Sequence, residues 1–158
     1  CDCRAFEWVR MKMKKEITLS LFIIVLALIE AKARLWSGYA PNLLLVGLVG
    51  LSGSIGIIEL LFYTLLGFLF LAGPIVSEEI LVVVVIVAFV HFLRLFVFGP
   101  SPLLTPLFSV AAIFVFYLET VGFTFISNPL FIFEMCLVSV IFGFLSELII
   151  ARLREQHS

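Results

Sequence analysis

The sequence is short of charge. Only 13% of its 158 residues are Asp, Glu, Lys or Arg, against about a quarter in a typical soluble domain. The middle of the chain is emptiest, with no lysine or arginine between Arg34 and Arg94. A Walker-type phosphate loop ends in Gly-Lys-Ser/Thr, because backbone N–H groups alone do not neutralise a triphosphate. The glycine-rich stretch VGLVGLSGSIGII, residues 46–58, lies inside that gap and is therefore no phosphate loop. Cysteine is scarce too: Cys1 and Cys3, with Cys136 far away in an apolar run. Cysteines separated by one residue rarely bridge, and a metal site built on Cys1 and Cys3 lacks two further ligands nearby. A net charge of −1 provides no overall basic balance for nucleic acid. Neither cofactor, metal nor nucleic acid is expected.

What the chain has instead is apolar surface, 63% of its residues, more than a globule could hide. This composition defines a polytopic integral membrane protein. A bilayer core takes about 20 predominantly apolar helical residues per crossing. Residues 17–35 form a first span, with Glu30, Lys32 and Arg34 at its far end and the interfacial aromatics Trp36 and Tyr39 following. Pro41-Asn42 then opens an apolar stretch, 43–73, whose one charge is Glu59. Spans at 80–98, 107–126 and 130–151 follow, divided by the turns Gly99-Pro100-Ser101-Pro102 and Ser127-Asn128-Pro129. The domain reading is a basic segment 1–16, one transmembrane domain 17–151 and a short tail 152–158. Met11-Lys12-Met13-Lys14-Lys15 looks like an ordinary bacterial start, so residues 1–10 read either as a translated upstream extension or as an assigned rather than native start. Ala31-Lys32-Ala33 imitates a signal-peptidase site, but the segment is taken as an uncleaved span.

The stretch 43–73 is too long for one crossing: as a helix it would measure about 46 Å against a core of about 30 Å. Two short helices joined near Ser52 to Gly56 fit better, and charge supports them. With six crossings and both termini inside, Arg4, Arg10, Lys12, Lys14, Lys15, Arg94, Arg152 and Arg154 are cytoplasmic, and only Lys32 and Arg34 are outside. A single crossing would equalise the two sides, against the preference of basic residues for the cytoplasm. The fold expected is all-α, six transmembrane helices with a short second and third helix hairpin, N-in and C-in. Gly47, Gly50, Gly53 and Gly56 fall every third residue, whereas a small-residue packing stripe needs spacing of four. They are expected to mark a helix end and a tight turn, where glycine tolerates positive φ.

Gly50-Leu51-Ser52-Gly53 matches the G-x-S-G of rhomboid-type intramembrane proteases, with His91 on a later helix as the base. In the six-span layout His91 lies about 10 Å of helix rise deeper than Ser52, and few helices precede the serine. Ionisable groups inside spans usually face a bundle interior or a cavity. Here they are Glu59, His91, Arg94 and Glu147 in the inner part, Glu119 and Glu134 in the outer part. The two readings are an ion path or polar pocket, and charges that pair to hold helices together or contact a partner subunit. A single histidine among scattered glutamates makes no continuous relay, so structural pairing is expected. The 18 phenylalanines fit lipid contact and packing.

The basic start, the first span, Pro41-Asn42-Leu43-Leu44-Leu45-Val46 opening a glycine-punctuated hairpin, Glu119 in the fifth span and the closing Ala151-Arg152-Leu153-Arg154 together resemble the rod-shape-determining protein MreD family. The likeness covers residues 17–154 in order and span length. Where that family often has an aspartate, near the end of the third span, this chain reads Gly67-Phe68-Leu69-Phe70-Leu71-Ala72-Gly73. The resemblance implies a non-enzymatic scaffold of the bacterial inner membrane, working with an MreC-like partner in cell elongation. It also implies a bundle similar to the substrate-binding S-components of vitamin transporters. That second class needs a pocket near the outer face, for which Glu119, Glu134 and the Trp36/Tyr39 loop are candidates.

Overall fold

A computed structural model describes residues 3–37, 42–72, 78–98, 101 and 103–155. Among these residues the fold is all-α. Helix α1, Cys3–Ser37, contains neither glycine nor proline, and nothing interrupts it between the basic segment and the first apolar run. Asn42 starts α2, Leu43–Leu51: its side-chain oxygen accepts from the Leu45 N–H at 2.8 Å, the usual work of an N-cap. The chain breaks at residues 52–56 and resumes as α3, Ile57–Ala72. Helix α4, Glu78–Leu93, runs on into a π-helical turn, Arg94–Phe98. Helix α5, Leu104–Val121, stops at Gly122, whose φ of 72° is the left-handed conformation that favours glycine. A 3-10 segment, Gly122–Ser127, leads to α6, Pro129–Glu155. Proline at the first helical position loses no hydrogen bond there, and the Asn128 side-chain oxygen accepts from Phe131 N–H at 3.3 Å.

Among the described residues three stretches are long and apolar enough to cross a bilayer: Glu78–Phe98, Leu104–Ser127 and Pro129–Arg152. The chain is thus an all-helical membrane protein. The expected second span departs from that pattern. At nine residues α2 is about 13 Å long, under half of a hydrocarbon core of about 30 Å. All nine of its residues are buried. It lies inside the bundle, against α1, α3, α4, α5 and α6, and its leucines and valines form the centre of the core with Ile23, Leu60, Phe68, Val83 and Ile113. It runs antiparallel to α1: Leu44 meets Glu30 and Gly47 meets Leu26. The ends of the bundle therefore divide cleanly. Glu30, Arg34, Asn42, Glu79 and Tyr117 gather at one; Ser52, His91, Arg94, Thr105 and Glu147 gather at the other.

The glycines of 46–58 serve packing rather than backbone freedom. None has positive φ, which among the described residues belongs to Gly122. A Cβ on Gly47 would lie 2.3 Å from Leu26 Cδ1 of α1, one on Gly50 2.4 Å from Ser146 Cβ of α6, and one on Gly53, in the turn after α2, 2.5 Å from Arg94 Nη1 of the π-helical turn. A step of three residues turns a helix by about 300°, so Gly47 and Gly50, the two glycines within α2, face different neighbours. The spacing that fits no single stripe suits a helix enclosed on every side. Gly56, past the end of α2, meets nothing within 4 Å.

Candidate functional site

A helix within a membrane must satisfy its terminal N–H and C=O groups without water, or lose several kcal/mol for each. At the start of α2 the Glu30 carboxylate, fully buried, accepts from Leu44 N–H at 2.9 Å. Its other oxygen takes two hydrogen bonds from Arg34, from Nη2 at 2.8 Å and Nε at 3.2 Å, one helical turn further along α1. Arg34 also reaches Glu79 at the start of α4, Nη1 to Oε2 at 3.2 Å. A carboxylate thus sits at the positive end of the α2 dipole, where it is stabilised, and a guanidinium shared between two acids holds it there.

The other end of α2 is closed with the opposite sign. Leu48 O accepts from Ser52 N–H at 2.9 Å and Leu51 O from Ser54 N–H at 2.9 Å. Val49 O accepts from the Ser52 hydroxyl at 2.7 Å, and Gly50 O from Arg94 Nη1 at 3.4 Å. The last four carbonyls of the helix are therefore all partnered. Arg94, 6% exposed, also donates through Nη2 to Thr105 Oγ1, whose hydroxyl donates to Glu147 Oε1. Its guanidinium lies over the Phe108 ring, 5.6 Å from the centroid. His91 Nδ1 is 2.7 Å from Ser52 O, so the ring donates to a backbone carbonyl. Arg94 Nε and Asn42 Nδ2 are buried without a hydrogen-bond partner.

Of the six ionisable residues picked out from the sequence, the structure brings Arg94 and Glu147 together through Thr105 and sets His91 beside them. Glu59 shares their end of the bundle but is exposed, on the first turn of α3. Glu119 and Glu134 are exposed on the outward faces of α5 and α6 and make no hydrogen bond or ion pair with each other. The proposed Ser52–His91 dyad is not assembled: the serine hydroxyl turns to Val49 O, and the imidazole meets the serine's carbonyl oxygen. Trp36 and Tyr39, expected beside an outer pocket, have side chains outside the described residues.

A cavity of about 310 Å³ does open beside the 3-10 segment that joins α5 to α6. Tyr117, Thr124, Phe125, Asn128 and Phe131 line it, and not Glu119 or Glu134. The Tyr117 ring packs edge-on against Phe131, centroids 5.4 Å apart. Among the described residues no three of His, Cys, Asp and Glu are placed to hold a metal ion. Sequence reasoning missed Glu79, Thr105 and Tyr117 entirely, and assigned Glu30 and Arg34 only to a span's end. Two signals were present: the i,i+4 spacing of Glu30 and Arg34, and Asn42 three residues before Leu45 at the head of an apolar run. The chain matches no family model, curated protein or solved structure with which it was compared.

Proposed function

We propose that this protein is a non-catalytic scaffold subunit of a bacterial inner-membrane complex, with both termini in the cytoplasm and the short, enclosed α2 serving as the second of six passes. The observation that carries this reading is the employment of the buried charges. Glu30 and Arg34 close one end of α2, Arg94 and His91 the other, with Thr105 and Glu147 behind them. Groups committed to holding a helix in place present no nucleophile, base or ion path to a substrate. The resemblance to the MreD family supports a place in cell elongation beside an MreC-like partner. The excess of Lys and Arg at the inner ends supports the orientation.

The cavity beside Tyr117 favours one other reading, a small-molecule-binding subunit of the S-component kind, because about 300 Å³ is the lower end of ligand pocket sizes. Purification in mild detergent separates the two. A scaffold co-purifies in fixed stoichiometry with another membrane protein, and its melting temperature ignores vitamin-sized ligands. A ligand-binding subunit melts higher when its ligand is present, as linkage requires. A protein that comes away alone and is stabilised by such a ligand overturns the scaffold reading. For orientation, a cysteine introduced at position 158 stays unlabelled by impermeant reagent in intact cells; labelling there overturns N-in/C-in.

A further inference from the structure

The connection between α5 and α6 joins two stretches that are each long enough to cross a bilayer, so it lies where hydrocarbon gives way to headgroups. Its side chains suit that level. Val121, Phe123, Ile126 and Leu130 are exposed and apolar, and the polar Thr124, Ser127 and Asn128 are exposed beside them. The cavity of about 310 Å³ opens here, walled by the rings of Tyr117, Phe125 and Phe131 with Thr124 and Asn128 beside them. Tyr117 stands at 87° to Phe131 and at 47° to Phe125, so the rings bound the space as a corner and not as a stack. The Thr124 hydroxyl donates to Val121 O, and Asn128 Oδ1 accepts from Phe131 N–H. Each of these two oxygens keeps a lone pair for a further donor.

No lysine or arginine occurs between Arg94 and Arg152, so α5, the 3-10 segment and the start of α6 bring no base to the cavity. At this end of the bundle, paired or not, stand five acids, Glu30, Glu78, Glu79, Glu119 and Glu134, against two bases, Lys32 and Arg34. Arg34 answers both Glu30 and Glu79, which leaves one negative charge over even with that pairing complete. These three are the charges that act on Tyr117. An aromatic corner with oxygen acceptors, in a field of that sign, selects a cation. We infer that the cavity holds the ammonium headgroup of a zwitterionic phospholipid such as phosphatidylethanolamine, with the phosphate left at the mouth. This goes beyond the scaffold reading and does not depend on it. The source is a lipid because the exposed apolar side chains around the mouth need hydrocarbon cover. A wholly anionic headgroup would meet the acid excess and no base. An acyl tail would bring no donor to Thr124 and Asn128.

The test purifies the full chain in mild detergent, with any subunit that accompanies it, and supplies equal amounts of phosphatidylethanolamine and phosphatidylglycerol with the same tails. Native mass spectrometry counts the lipids retained. Phosphatidylethanolamine is expected to be favoured by about tenfold, the scale of a cation over aromatic rings with a hydrogen bond added. Its N-acetylated form, which keeps tails and phosphate but loses the ammonium, shows no such preference. Phe131→Leu keeps an apolar wall without a π face, and Thr124→Val keeps the shape without the acceptor; each lowers the preference about threefold or more. Phe131→Trp retains it, since indole holds a cation best, and Thr124→Val keeps the wild-type melting temperature in the absence of lipid. Equal retention of phosphatidylglycerol or of the N-acetylated lipid overturns the proposal, as does no retained lipid or a preference indifferent to either substitution. Free ethanolamine that raises the melting temperature as far as the lipid does overturns the lipid source and assigns the cavity to a soluble amine. Co-purification with a partner decides the scaffold reading whichever lipid is bound.

Discussion

Three of the four glycines in and after α2, Gly47, Gly50 and Gly56, give the sharpest test of the packing argument. Replacing glycine by alanine inside a helix normally gains about 0.5–1 kcal/mol, because alanine loses less backbone entropy on folding. At Gly50 the new methyl would lie 2.4 Å from Ser146 Cβ, an atom fixed to the α6 backbone. Something must move, and overpacking of a tight core costs about 1–3 kcal/mol. The net expectation for Gly50→Ala is a loss of about 1–2 kcal/mol. At Gly47 the nearest atom, Leu26 Cδ1, is the tip of a flexible side chain, so Gly47→Ala costs less. At Gly56 nothing lies within 4 Å, and Gly56→Ala stays within about 0.5 kcal/mol of wild type. Unfolding by SDS titration in mixed micelles measures all three on one scale. Ser146→Gly removes the opposing Cβ and should restore most of the Gly50→Ala loss, a coupling between touching residues. Equal losses at Gly50 and Gly56, or no rescue by Ser146→Gly, refutes the enclosed-helix explanation of the spacing.

Glu30→Leu removes the buried acceptor of Leu44 N–H and one of the two acids facing Arg34, and is expected to cost about 3 kcal/mol by SDS titration; a stability within 0.5 kcal/mol of wild type, on the order of ordinary surface substitutions, would contradict the capping role. Arg94→Met leaves Gly50 O and Glu147 without their guanidinium, and the same measurement should show a loss of about 2–4 kcal/mol that Glu147→Gln in the same chain partly recovers. Ser52→Ala loses one hydrogen bond to Val49 O, about 1 kcal/mol, and wild-type protein is expected to resist a serine-directed phosphonate; labelling at Ser52 would revive the protease reading.

Much of the fold was legible because hydropathy and helix punctuation are local properties. The apolar runs, the break at 52–56 and the turn at Ser127-Asn128-Pro129 all follow from residues close in sequence. What lies between helices was not legible. Arg34 meets Glu79 across 45 positions, and Arg94 reaches Gly50 across 44; no spacing rule relates such residues. Helix rotation was equally hidden, so Glu119 and Glu134 looked like partners at comparable depth although both face outward. The glycines misled for a related reason. A rule for two helices packed along one stripe does not describe a helix with neighbours all round it.

The shortness of α2 also constrains how the protein is made. A nine-residue helix cannot hold itself in a bilayer when the first half of the chain leaves the ribosome, and four of its five neighbours are synthesised after it. Ser146, against which Gly50 closes, lies nearly a hundred residues downstream. The packing around segment 43–51 is therefore complete only once α5 and α6, made later, stand beside it.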